Sequence, residues 1–70
     1  MILKFTKHAS QQSKERGISK ELVKLAIERG SKSRQGQNHF VSNYTYIKVA
    51  YKKFNDVYII KTVMVKDRLY

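Results

Sequence analysis

Cysteine, proline and tryptophan are absent from this 70-residue chain, and acidic residues are scarce. Without cysteine there is no disulfide framework and no thiolate metal cluster. Long apolar runs are missing too. The segment Met1-Ile2-Leu3-Lys4-Phe5 meets a lysine after three residues and is not a signal peptide's apolar stretch. Nothing approaches the roughly 20 apolar residues of a membrane span, so the expectation is a cytoplasmic protein with no membrane partner. Two histidines and five scattered acids give no metal-ligand spacing. Neither a glycine-rich phosphate loop nor a nucleophile elbow occurs, and no metal or cofactor is expected. The length allows residues 1–70 a single domain, which buries only about 60% of its unfolded surface and cannot waste apolar side chains.

What the chain has in excess is positive charge. Fifteen Lys and Arg stand against five Asp and Glu, a formal net charge of +10. Such imbalance works against compactness and implies an anionic partner. The acids are Glu15, Glu21, Glu28, Asp56 and Asp67, so Arg29 to Asn55 is free of them. Within that stretch Lys32, Arg34, Lys48, Lys52 and Lys53 interleave with Phe40, Tyr44, Tyr46, Tyr51 and Phe54. Cations hold phosphates and rings stack on unpaired bases, so the alternation predicts an outward surface for single-stranded nucleic acid.

The local signals predict two helices followed by strands. Thr6 is a candidate N-cap for a helix over Lys7–Arg16, with Gly17 closing it. Ser19 caps a second helix reaching Arg29, with Glu21 in its first turn and Gly30 at its end. Leu22, Val23, Leu25, Ala26 and Ile27 give that helix an apolar stripe, whereas the first helix offers the core only Ala9. Residues Ser31 to Asn38 read as a polar loop, followed by strands over His39–Ser42, Tyr44–Tyr51 and Val57–Val65, with a turn at Lys52–Asp56. In the last strand, keeping Lys61 out of the core places Tyr58, Ile60, Thr62 and Met64 inward, although Val57, Ile59, Val63 and Val65 share the face of Lys61 and leave the facing open. The predicted architecture is α+β: two N-terminal helices packed on a three- or four-stranded antiparallel sheet.

The run Phe5-Thr6-Lys7-His8-Ala9-Ser10-Gln11-Gln12-Ser13-Lys14-Glu15-Arg16-Gly17-Ile18-Ser19 resembles the entry segment of a small bacterial family, the domain of unknown function 4258, whose pattern is roughly F-T-x-H-A-x-x-R-M-x-x-R-G-I-S. The likeness continues through Leu22, Val23 and Ala26 to Thr62 in the closing strand. Gln12 stands where the pattern has arginine and Ser13 where it has methionine. The family is similar to small ribonuclease toxins of RelE-like and barnase-like type. This resemblance implies metal-independent RNA cleavage in a cleft between helices and sheet, with His8, Arg16 and Thr62 carried over as the catalytic set. It also implies an acidic antitoxin protein as a further partner.

The chemistry is consistent with those residue types. RNA supplies its own nucleophile, the 2′-hydroxyl, so cleavage requires a base, cations around the phosphate and an acid for the leaving 5′ oxygen. His8 lies in a first helical turn, and Arg16 shares its face through Gln12. Thr62 is expected to donate to a phosphate oxygen. Lys7, Lys32, Arg34, Tyr44, Tyr46, Lys48, Lys52, Lys53 and Lys61 are the expected nucleic-acid contacts. His39, the other histidine, is a weaker candidate for chemistry. The expected function is a metal-independent endoribonuclease of bacterial toxin type, the 2′-OH attacking to leave a cyclic phosphate. The alternatives are a non-catalytic RNA or single-stranded DNA module and a domain docking an acidic protein.

Overall fold

The computed structural model describes residues 1–66, so Asp67 lies outside the described residues. The order is β1 (Ile2–Phe5), α1 (Lys7–Glu15), α2 (Lys20–Arg29), β2 (Ser31–Gly36), β3 (His39–Tyr44), β4 (Ile47–Phe54) and β5 (Val57–Val65). The five strands form one mixed sheet in the order β1-β5-β4-β3-β2. From β2 to β5 it is an antiparallel meander, while β1 returns to lie parallel to β5.

This corrects the expected architecture in three respects. The chain opens with a strand rather than a helix: Leu3 and Phe5 turn toward the core while Ile2 and Lys4 stay exposed. Four residues are too few for periodicity to announce, yet β5 supplies a full row of partners. The segment expected as a polar loop is β2, exposed at every residue and bonded along β3. Its polarity reflects its place at a sheet edge beyond the helices, where nothing apolar is demanded. The sheet therefore has five strands and is mixed, not antiparallel with three or four.

Both helices begin at the expected caps. Thr6 Oγ1 accepts from the Ala9 N–H at 3.1 Å, and Ser19 Oγ accepts from the Leu22 N–H at 3.1 Å. Gly17 has φ +64°, the left-handed conformation that ends α1 without a Cβ penalty. The helices pack on one face of the sheet, α1 over β5 and β1, α2 over β3 and β4. Between them and the sheet lie Ala9, Ile18, Val23, Ala26, Ile27, Ile47, Val49, Tyr51, Ile60 and Val63. Two buried serines tie down interior carbonyls: the Ser13 hydroxyl donates to the Ile18 carbonyl in the α1–α2 connection, and that of Ser42 on β3 donates to the Ala26 carbonyl of α2, which joins sheet to helix.

Gly30, between α2 and β2, sits where the backbones crowd. A Cβ built there would lie 2.3 Å from the Ala26 carbonyl oxygen and 2.7 Å from that of Asn43. Backbone atoms cannot step aside as a flexible side chain can. Gly30→Ala is accordingly expected to cost at least about 2 kcal/mol, lowering the melting temperature by roughly 10 °C or more for a chain of this size. Gly36→Ala, where a Cβ meets nothing nearer than 4.0 Å, is the comparison and should melt within a few degrees of the parent.

Candidate nucleic-acid interface

Strand pairing fixes what the uncovered face of the sheet displays. Because Val49 and Val63 face one another in the core, their neighbours Ala50 and Thr62 face one another on the opposite side. Following the registers, one row on that side runs Lys4, Ile59, Lys52, His39. The next runs Thr62, Ala50, Val41, Ser33. Beyond it come Met64, Lys48, Asn43 and Ser31, and at the other end an apolar row of Ile2, Val57 and Phe54. None of these residues is buried, and among the described residues none is acidic. Lysines thus punctuate an acid-free, uncovered sheet face.

A break in β5 sharpens this surface. Ala50 pairs with Thr62 but Tyr51 pairs with Ile60, which leaves Lys61 as a surplus residue in a bulge. The bulge shifts the phase of the strand. Tyr58 and Ile60 face the helices before it and Val63 after it, while Lys61, Thr62 and Met64 stay on the open side. The expected inward placement holds for Tyr58 and Ile60 and fails for Thr62 and Met64, since strict alternation was assumed. Val63 also lies past the end of β1, and its N–H donates instead to Gln12 Oε1 of α1 at 3.1 Å. An arginine, the residue of the family pattern at this position, has no acceptor oxygen and cannot make this bond.

Around the bulge lies a depression of about 260 Å³ lined by Gln35, His39, Val41, Ala50, Lys61 and Thr62, among others. Small side chains in the middle of the row, Ala50 and Val41, leave the space. His39 is directly opposite Lys52 across the β3–β4 ladder. Desolvation by its neighbours, then the charges of Lys52 and Lys61, hold its imidazole below the ordinary value near 6.5.

The residues expected to be catalytic are not brought together. Thr62 faces the depression, whereas His8 and Arg16 are exposed on α1 and at its C-cap, on the helical side of the sheet. Of the expected nucleic-acid contacts, Lys48, Lys52 and Lys61 share the open face. Lys7 is exposed at the start of α1. Lys32 donates to the Glu28 carbonyl at 3.4 Å, Arg34 lies 5.9 Å from the Phe40 ring and Lys53 lies 5.6 Å from the Tyr58 ring, all on the helical side. The rings depart furthest from expectation. Tyr51 is buried, Phe40, Tyr44 and Tyr58 pack against the core, and the stacked pair Phe40–Tyr51 has centroids 5.7 Å apart. Tyr46 in the β3–β4 turn and Phe54 at the end of β4 remain exposed. A core this small needs its aromatic area, so most rings are spent inside and, among the described residues, no ring platform spans the open face.

Two contributors were not singled out from the sequence. Lys4 was signalled only by the alternation of a short strand. Gln35 carries no chemical signal of its own, and only the β2–β3 pairing brings it to the depression.

Two outcomes follow. In an NMR titration the His39 imidazole should show its midpoint below 6.5, so that it is neutral at neutral pH. Lys52→Ala and Lys61→Ala should each move the midpoint upward, and Lys14→Ala on α1 should not. An unmoved midpoint in both sheet variants would show that the cations do not act on His39. Separately, Gln12→Ala should cost about 1–2 kcal/mol by stranding the Val63 N–H and should speed exchange of that amide, with Gln12→Glu retaining most of the protection.

Comparison with known proteins adds one finding. No curated protein and no solved structure matches the chain. The model of the family described as "Domain of unknown function (DUF4258)" matches residues 5–65, from the last residue of β1 to the last of β5. This match takes in both helices, the bulge and every strand but most of β1, and the chain belongs to the DUF4258 family.

Proposed function

We propose that this protein binds RNA through the open face of its sheet and cleaves it without a metal ion. The observation that carries the reading is the register of that face: Lys4, Lys48, Lys52 and Lys61 share it with a shallow depression that Lys61 lines, with no acid on the same surface among the described residues. Ammonium groups spread over three rows of the sheet suit a chain of phosphates better than a single small anion. The remaining acids among the described residues lie on α1 and α2 or in the β4–β5 turn, away from the lysine rows. Resemblance of the family to RelE-like and barnase-like ribonuclease toxins supports the cleavage part. Because Phe40, Tyr44, Tyr51 and Tyr58 are turned inward, phosphate contact rather than base stacking supplies most of the affinity.

A second reading, the docking of an acidic protein such as an antitoxin, is favoured by β2. That strand is a sheet edge with every residue exposed, and it carries Lys32 and Arg34. An extended acidic segment adding to this edge would obtain both backbone hydrogen bonds and charge complementarity.

Salt dependence tests the RNA contact. Four phosphate contacts on a single strand give a slope of log affinity against log salt near −3, about a 50-fold loss between roughly 50 and 200 mM. Each of Lys48→Ala, Lys52→Ala and Lys61→Ala should reduce the slope by about 0.7; Lys14→Ala and Lys24→Ala on the helices should leave it unchanged. A flat salt response, or equal losses from the helix lysines, would move the interface off the open face.

A further inference from the structure

We infer that the depression beside His39 is the place where bound RNA is cut, with His39 as the general base. The inference rests on the RNA contact proposed above and adds the reacting groups and their atoms. Three strands converge there: β3 contributes His39, β4 contributes the small Ala50, and β5 contributes Thr62 and the surplus Lys61, while Lys52 of β4 stands opposite His39 in the strand pairing. The volume, about 260 Å³, exceeds the roughly 150 Å³ that takes a benzene-sized ring, so one base or ribose of an unpaired strand fits while its phosphates lie along the lysine rows.

Each group has a place in transesterification. The imidazole of His39 removes the proton of the 2′-hydroxyl, and the freed O2′ forms a bond to the adjacent phosphorus. The P–O5′ bond breaks, and the departing O5′ takes a proton from the Lys61 ammonium. Water returns a proton from the imidazolium to Lys61. Nothing is oxidised or reduced, and the products are a 2′,3′-cyclic phosphate and a 5′-hydroxyl. Lys52 balances charge on the phosphate, and the Thr62 hydroxyl donates to a non-bridging oxygen.

The surroundings keep the base ready. The charged groups facing His39 are Lys52 on β4 and Lys61 on β5, with Lys4 on β1 at the end of the same row; β2 contributes the uncharged Gln35. Cations with no opposing carboxylate among the described residues favour the neutral imidazole, the form a base requires. His8 is exposed on α1, on the far side of the sheet from Thr62.

The test uses the full chain and a single-stranded RNA labelled at its 5′ end, in EDTA, with binding measured on the same samples. The expected result is cleavage leaving cyclic phosphate ends, a loss of at least 100-fold in His39→Ala and in His39→Gln, and RNA affinity in both variants within about threefold of the parent. The rate should rise with pH through a midpoint below the ordinary histidine value and then level off. A deoxyribose strand with one ribose should be cut only after that ribose. Binding without cleavage by the parent chain would overturn this inference and leave the RNA contact standing; absence of binding would overturn both. Cleavage that EDTA abolishes, or that His8→Ala abolishes and His39→Ala does not, would also overturn it.

Discussion

Strand β5 contains one residue more than β4 can pair, and the rest of the molecule is arranged around that surplus. With strict alternation, Ile60 and Val63 would point to opposite faces, and the core would lose one of two fully buried side chains. The bulge at Lys61 lets both point at the helices. It also puts two consecutive polar residues, Lys61 and Thr62, on the open side, so the same irregularity completes the core and furnishes the depression. Its cost is a broken ladder, and α1 answers it. Gln12, in a helix that otherwise buries only Ala9 and Ser13, accepts the Val63 N–H beyond the end of β1. A helix with so little apolar surface is retained partly because it completes the backbone hydrogen bonding of β5.

How far this could be read from the residues varies with the physical signal. Caps and amphipathic spacing located both helices within a residue, because Thr6, Gly17 and Ser19 act locally. The bounds of β5 were equally clear, but its facing was not, since a bulge leaves no mark in composition. β2 is invisible to hydrophobic pattern because its ordering depends on β3 alone. The tyrosines illustrate a deeper ambiguity. A ring alternating with lysine marks a strand with two unlike faces, and only the position of the helices decides which face is inside. Here the helices lie over the face that carries Tyr51 and Tyr44, and Lys48 and Lys52 of β4 take the open side.

The site was legible in its charges and not in its assembly. Lys48, Lys52, Lys61 and Thr62 stood out by residue type. His39 became significant through register, because Lys52 lies opposite it only if the β3–β4 turn falls at Thr45–Tyr46. That turn contains no glycine. Thr45 adopts φ +48° there, unusual for a β-branched residue, so the usual sequence marker of a two-residue hairpin was missing. Placing the turn correctly would have brought the histidine and the lysine face to face on paper.

The parallel pairing of β1 with β5 has a kinetic consequence. The β2–β5 meander closes through two-residue turns, so those contacts form between near neighbours in the chain. Ile2 and Val57, by contrast, come from positions about 55 residues apart, and bringing them together carries an entropic cost of about 2.5 kcal/mol beyond that of forming a short loop. Joining β1 to the meander therefore carries the largest loop-closure cost in the sheet and is expected to come late in folding. As β1 leaves it draws the start of α1 away, Gln12 releases Val63, and the bulge is loosened from behind, so that detachment of the N-terminal segment and loss of order beneath Lys61 occur as one event.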